Sequence, residues 1–220
     1  MKTTIMTLLT IALACASVPA FAQGRDGKFS LGFGAYVGVA SAGLKSDHSA
    51  IASMAVAQEG GSFLITAGTP AIRIKAIGGL FYSASKVPQT VDLVRVGSQV
   101  EFHPLSCFAK DYVRFSPYII GGVTRNTHKF YGLYGSNDQG QPRNNSVSEE
   151  PYLGSVTSYE TMAGVGLALQ LKSVLGQFLH VFVEYKGAFS FSREASTMYQ
   201  NTFFEKSRTI DAGVVFGKLL

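Results

Sequence analysis

The sequence predicts an all-β protein, an eight-stranded antiparallel up-and-down transmembrane β-barrel. Three observations lead to this prediction: an export signal, eight segments in which apolar residues alternate with small or polar ones, and an unusual composition. Only 15% of the 220 residues are charged, whereas 24 are Gly, 16 are Phe and 10 are Tyr. Since soluble domains carry about 25% charged residues, this composition indicates a surface that faces lipid.

The chain begins with the features of a cleavable signal peptide. Lys2 is followed by an apolar stretch, which ends in Ala-Phe-Ala directly before Gln23. A positive start, a short apolar region and a small-x-small motif are typical of a secretory signal. We therefore expect residues 1–22 to be a signal peptide and residues 23–220 to form one outer-membrane β-barrel domain.

Eight segments with a two-residue period follow. In the first, residues 29–39, Phe29 and Leu31 fall on one face, and Ser30 and Gly32 fall on the other. This period predicts a strand with one apolar face. The same criteria predict the other strands, in order, at residues 62–68, 71–83, 91–102, 112–124, 158–171, 178–191 and 207–220. Tilted strands of such length cross a bilayer.

In six further strands the apolar face expected to contact lipid is well defined. Its members, in chain order, are Ile72, Ile74 and Leu80; Val94, Val96 and Val100; Phe115, Ile119 and Val123; Val165, Leu167 and Leu169; Val181, Val183 and Tyr185; Ile210, Val214 and Phe216. The members of each set are an even number of residues apart, so they fall on the same face of a strand.

The connections alternate between long and tight. Residues 41–61 lose the period and are expected to form a connection, in which 51–57 either extend a strand or form a short helix. Residues 125–156, rich in Gly, Asn, Ser and Tyr, are expected to form the longest connection, whereas Thr69 and Pro70 mark a tight turn. An even strand number places both termini in the periplasm and the long loops outside the cell.

The charged residues of the predicted strands avoid the lipid face. An ionised Lys or Arg that faces hydrocarbon near the midplane costs about 2–4 kcal/mol, so these residues are expected inside the barrel. Two interpretations are open: an ion-pair network that fills the lumen, and a pathway for protons or a small solute. The candidate residues are Arg73, Lys75, Arg95, Glu101, Arg114, Glu184, Lys186 and Asp211.

Three tyrosines fall in the longest predicted connection: Tyr131, Tyr134 and Tyr152. Amphipathic rings on an exposed loop often anchor recognition, although they also pack loops onto a rim. We regard them as candidates for an interaction with an envelope protein partner.

The chain resembles small eight-stranded outer-membrane β-barrel domain proteins, in the style of those from Bacteroidota. Three stretches carry the resemblance: Val-Gly-Ser-Gln-Val-Glu-Phe from Val96, Phe-Ser-Pro-Tyr-Ile-Ile-Gly-Gly-Val from Phe115, and Ala-Gly-Val-Gly from Ala163. The resemblance implies an outer-membrane barrel of a Gram-negative bacterium, in contact with outer-membrane lipid.

No catalytic or cofactor motif is evident. None of the four histidines is followed by Ser at the second position, which small outer-membrane deacylases would require; they are His48, His103, His128 and His180. The Cys and His spacings of metal sites are missing as well. Positive charge is scattered rather than clustered, which argues against a nucleic-acid partner. We expect a protein that is not an enzyme and has no cofactor.

Three functions remain compatible with the sequence. The first is a structural or assembly component that interacts through its extracellular loops. The second is a narrow channel for a small solute, suggested by the interior Arg and Lys residues. The third is a soluble, lipocalin-like binding barrel in the periplasm, which requires the apolar face inside and the charged face outside.

Overall fold

The structure is a computed structural model of the chain. It describes residues 29–47, 53–84, 89–108, 115–132, 152–172, 177–195 and 201–219. The expected signal peptide therefore lies outside the described residues. Within them, no helix is both long enough and apolar enough to cross a membrane.

Eight strands and one short helix make up the described chain. In order they are β1 Ser30–Lys45, β2 Met54–Gly68, β3 Ile72–Ser83, β4 Gln89–Phe102, α1 Pro104–Phe108, β5 Phe115–Gly132, β6 Tyr152–Lys172, β7 Gln177–Ala195 and β8 Phe203–Leu219. Only a strand end was predicted at the position of α1.

The strands form a closed barrel, in which each strand pairs antiparallel with the next and β8 pairs with β1. The closing seam runs from Ser30↔Leu219 to Lys45↔Phe203. Closure satisfies the backbone groups that an open edge would leave unpaired. The predicted strand number and antiparallel up-and-down topology are confirmed.

The connection predicted at residues 41–61 is mostly strand, so that prediction was wrong. β1 and β2 pair without interruption from Ser30↔Gly68 to Leu44↔Met54. More than half of these residues are Ala, Ser or Gly, which give little hydrophobic contrast between faces, but backbone pairing does not require such contrast. Of the ambiguous segment 51–57, residues 54–57 extend a strand, and residues 51 and 52 lie outside the described chain.

The connection predicted at residues 125–156 was also too long. β5 continues to Gly132 and β6 begins at Tyr152, with pairing as far as Tyr131↔Tyr152 and a bulge between Phe130 and Tyr131. Polar residues occupy both faces of this part of β5, which conceals the strand period. Residues 133–151 are outside the described chain.

Burial alternates along the strands, and the predicted faces are observed. In β7, for example, Val181 and Val183 are exposed, whereas His180, Phe182 and Glu184 are buried. Large apolar side chains cover the outside of the barrel; they include Phe33, Val37, Phe63, Ile119, Val165 and Ile210, and Phe63 reaches 81% exposure. The interior contains both apolar clusters and charged side chains, and it forms the candidate site.

Candidate functional site

A cluster of charged side chains occupies the barrel interior. Lys75 is on β3, Glu101 on β4, Glu184 and Lys186 on β7, and Asp211 on β8. Each is at most 2% exposed. The two-residue period points all five inward, and barrel closure brings strands that are distant in sequence together across the lumen.

The cluster is a chain of ion pairs. Lys75 Nζ contacts one carboxylate oxygen of Glu101 and one of Glu184. The second oxygen of Glu184 lies 2.8 Å from Lys186 Nζ, which in turn lies 2.5 Å from Asp211 Oδ2. Each Lys thus joins two carboxylates. Glu184 and Lys186 lie two residues apart on the inner face of β7, whereas Lys75 reaches Glu184 from β3, on the opposite side of the barrel.

Tyr118, from β5, belongs to the same cluster. Its hydroxyl donates a hydrogen bond of 2.7 Å to Glu184 Oε1. The ring fits because Gly166 lies beside it on β6: a Cβ on Gly166 would come within 2.2 Å of Tyr118 Cζ. A small residue on one strand therefore makes room for the ring from its neighbour.

A second polar group lies at the turn end of the barrel, below the cluster. His103 follows β4, and its Nδ1 lies 3.0 Å from Ser116 Oγ while its Nε2 lies 3.4 Å from Glu101 Oε2. Arg73 donates a hydrogen bond of 2.6 Å to His180 Nδ1. His103 also stacks on Tyr118, with 4.6 Å between ring centroids.

In a hydrolytic triad, a His takes a proton from a Ser and is oriented by an acid. The same three residue types are connected here, since His103 lies between Ser116 and Glu101. Burial lowers the pKa of His103, which lies just beyond β4. However, Ser116 is completely buried. A nucleophile must reach its substrate, so we interpret the three residues as a hydrogen-bonded closure of the interior.

Arg95 and Glu160 lie apart from the ion-pair chain. Arg95 Nε donates to Asn126 Oδ1 at 3.2 Å, and its guanidinium lies 4.9 Å from the centroid of the Phe81 ring. Glu160 accepts hydrogen bonds from Ser158 and Ser207 at 3.0 and 3.1 Å.

The buried charges of the described chain balance in number. The cations are Arg73, Lys75, Arg95 and Lys186, and the anions are Glu101, Glu160, Glu184 and Asp211. The interior excess of positive charge inferred from the sequence is therefore not observed among these residues. Glu160, which the sequence analysis did not select, supplies the fourth acid.

An apolar layer closes the loop end of the interior. We use this name for six buried residues from the loop ends of six strands: Leu44, Val56, Val91, Phe130, Val156 and Phe204. His128 stacks on Phe204, with centroids 3.6 Å apart, directly beside this layer. The sequence does not reveal this layer, because five of its six members fall between the predicted strands and only Val91 lies within one.

The remaining candidates do not join the cluster. Tyr131 and Tyr152 lie at the paired ends of β5 and β6 rather than in a free loop, with ring centroids 5.7 Å apart. Arg114 and Tyr134 lie outside the described residues. Within the described part, no group of three or more His, Cys, Asp or Glu side chains is arranged to hold a metal ion.

Comparison with known proteins returns similar structures only. The chain is similar to Neisserial surface protein A (16% identity, covering 83% of this chain and 95% of that chain, TM-score 0.47). It is also similar to Ail of Yersinia pestis (14%, 87% and 99%, 0.40) and to a major outer membrane protein from Thermus thermophilus (11%, 85% and 98%, 0.47).

No protein-family model and no curated protein matches the chain. Because the TM-scores of the similar structures are below 0.5, the fold follows from the strand pairing of this chain alone.

Proposed function

We propose that this protein is a non-enzymatic outer-membrane β-barrel with a filled lumen, which acts structurally or as an assembly component through its loop end. The observation that supports this most directly is the division between the two faces of the wall. Large apolar side chains cover the outside, whereas the buried charges point inward. A hydrocarbon environment favours this arrangement, and water does not.

The outer apolar band has the height of a membrane core. On β7 it runs from Val181 to Phe191, with Val183, Tyr185 and Phe189 between them. At roughly 3.3 Å per residue this is about 33 Å of strand. At the usual tilt of about 40° it corresponds to about 25 Å along the barrel axis, which matches the apolar band of outer-membrane barrels.

Two features of the interior support a closed lumen over a narrow channel. The ion-pair chain that includes Lys75 and Glu184 crosses the lumen from β3 to β7, and the apolar layer covers the loop end. An eight-stranded barrel is just wide enough for its own side chains. Moreover, the buried charges of the described residues balance in number, so they do not favour anions over cations.

The soluble lipocalin-like alternative requires an apolar interior and a charged exterior. The described strands have the opposite arrangement, with Phe63, Val165 and Ile210 exposed and Lys75 and Glu184 buried. We therefore do not retain this alternative.

With the lumen filled, the loop end is the part of the barrel available to an envelope partner. The exposed Tyr152 ring beside Tyr131 offers an amphipathic contact there. We further propose export through cleavage after residue 22 into the outer membrane of a Gram-negative bacterium, with Bacteroidota as the source.

Conductance across planar bilayers tests the closed lumen. The purified full chain is expected to give no stable openings, and Arg95→Gln should not change that result. Arg125→Gln serves as the matched control, since Arg125 is exposed on the same strand pair while Arg95 is buried. Steady openings whose ion selectivity changes in Arg95→Gln, but not in Arg125→Gln, would establish the channel instead.

Fractionation tests the location, and co-purification tests the partner. The protein should require detergent for release from the outer membrane and should migrate faster on gels before heating than after. Mass spectrometry should find a mature N-terminus at Gln23. If native extracts contain the barrel without any stoichiometric envelope protein, the assembly role is refuted while the membrane location stands.

A further inference from the structure

The wall of the barrel opens between β7 and β8 at the loop end. Pairing between these strands stops at Ala188↔Ser207. Beyond this point β7 continues to pair with β6 as far as Ala195, and β8 continues to pair with β1 as far as Phe203. In the described parts of β7 and β8, the two strands diverge while each keeps its other neighbour.

A cleft of about 720 Å³ lies in this opening. Its lining combines aromatic and basic side chains, among them Phe189, Phe191, Arg193, Phe203, Phe204 and Lys206. Residues 189–194 of β7 are exposed one after another, although burial alternates along the rest of the strand. Both faces of this segment are therefore open to the surroundings.

The lower part of the opening lies within the proposed membrane band, since Phe189 and Phe191 belong to the outer apolar surface. Backbone N–H and C=O groups on an unpaired edge at this depth need hydrogen-bonding partners. An occupant that offers both apolar contact and polar groups would satisfy this edge.

Two cationic side chains, Arg193 and Lys206, lie at the rim of the cleft. The guanidinium of Arg193 lies 5.4 Å from the Phe203 ring centroid, and Lys206 Nζ lies 5.9 Å from that of Phe189. Among the described residues, neither forms a salt bridge with a carboxylate. The acid that lines the cleft, Glu205, is already held by Lys45 at 2.6 Å.

The floor of the cleft is apolar. Phe204 lines the cleft and also belongs to the apolar layer inside the barrel. An aliphatic chain that enters from the membrane would therefore meet Phe191 at the entrance and Phe204 at the floor. The cations lie above, where the apolar band ends.

We propose that this cleft binds a phosphate-bearing lipid of the surrounding membrane, with an acyl chain against Phe189, Phe191 and Phe204 and its phosphate at Arg193 and Lys206. This proposal rests on the membrane location proposed above. The order of the groups supports it, since aromatic rings within the band, followed by two cations at its edge, complement an anionic lipid from tail to headgroup. Charge-assisted contacts to phosphate oxygens are stronger than neutral hydrogen bonds.

Dodecyl phosphate is a suitable probe, since it carries one chain and one phosphate. We would titrate it into the full-length protein in nonionic detergent and count the retained molecules by native mass spectrometry. A parallel titration with inorganic phosphate tests whether the headgroup alone binds. One molecule per barrel is expected. Lys206→Gln and Phe191→Ala should each weaken binding about tenfold or more, because a hydrogen bond to a charged group and a buried aromatic contact are each lost.

Two matched controls lie away from the cleft. Arg125→Gln removes an exposed cation, and Phe63→Ala removes an exposed aromatic ring; neither should change the affinity. Gel migration before and after heating shows that each variant is folded, since all four positions are exposed.

Equal binding by cleft and control variants would show unspecific association and overturn the proposal. A dimer that forms without dodecyl phosphate and is lost in Phe191→Ala would show that a second copy of the chain covers the edge, which also overturns it. If the protein requires detergent and is heat-modifiable but does not bind dodecyl phosphate, the proposed lipid site is refuted while the membrane location stands. Recovery of the protein in the soluble fraction would refute the membrane location.

Discussion

Removal of Lys75 is expected to destabilise the barrel strongly. Its ammonium joins Glu101 on β4 to Glu184 on β7, and all three side chains are at most 2% exposed. Lys75→Met would leave Glu101 with only His103 among the contacts described above, while Glu184 would retain Lys186 and Tyr118. Because breaking a buried pair leaves an uncompensated charge, we expect a loss of about 3–5 kcal/mol in the free energy of unfolding.

Glu184→Gln should cost less, about 1.5–3 kcal/mol, the range for a hydrogen bond to a charged group. After this change Lys75 still contacts Glu101, and Lys186 still contacts Asp211. The double variant removes one charge of each sign and keeps the interior balanced. Its cost should therefore fall below the sum of the single costs by about 1–3 kcal/mol, as for directly interacting residues.

The exposed pair of Lys45 and Glu205 provides a matched control, since its two charged atoms lie 2.6 Å apart. Its side chains are about half exposed, so water screens the interaction, and its coupling energy should be about 0.2–1 kcal/mol. Equilibrium urea unfolding in lipid vesicles measures both cycles. A buried coupling no larger than the exposed one would refute the view that the ion-pair chain holds the interior together.

Three further substitutions test the orientation, packing and extent of the wall. Val183→Arg should impair insertion or lower stability by about 2–4 kcal/mol in a vesicle refolding assay, and normal refolding would place Val183 away from hydrocarbon. Gly166→Ala should lower the thermal unfolding midpoint, because its Cβ would come within 2.2 Å of Tyr118. Gly187→Ala is the control and should be tolerated, since a Cβ there has no neighbour within 4 Å. Equal midpoints for the two variants would contradict this packing. Phe130→Ala should cost about 3–5 kcal/mol in urea unfolding, and a change below about 0.5 kcal/mol would indicate an exposed loop residue.

The strand number and the two faces of the wall were predictable because each depends on residues close in sequence. A lipid-facing surface demands a large apolar side chain at every second position, as from Val181 to Tyr185. The interior has no such requirement near the loop end, where Asn126, His128 and Phe130 follow one another on the inner face. Pairing in this region is maintained by backbone hydrogen bonds, which nearly every residue type can form, so the amino-acid sequence does not reveal it.

The contacts within the site were not predictable for a different reason. Lys75 and Glu184 are 109 residues apart and meet only because the barrel closes with a particular stagger between its strands. The inward direction of both follows from the period of two, but their height along the axis depends on the register of every intervening strand. The sequence therefore indicates which side chains point inward, but not which of them contact each other.

The end of β7 shows why both strand ends and strand register are hard to predict from the sequence. A register shift between Tyr159 and Glu160 changes the pairing of β6 with β7 just where β7 leaves β8. From that point Ser192 pairs with Tyr159 and Arg193 pairs with Ser158, so Phe191 is the extra residue of β7. Arg193 is exposed at the opening, and its guanidinium lies 5.4 Å from the centroid of the Phe203 ring. One extra residue in β7 thus changes which side chains meet at the opening, and the period of two in the sequence does not reveal such a change.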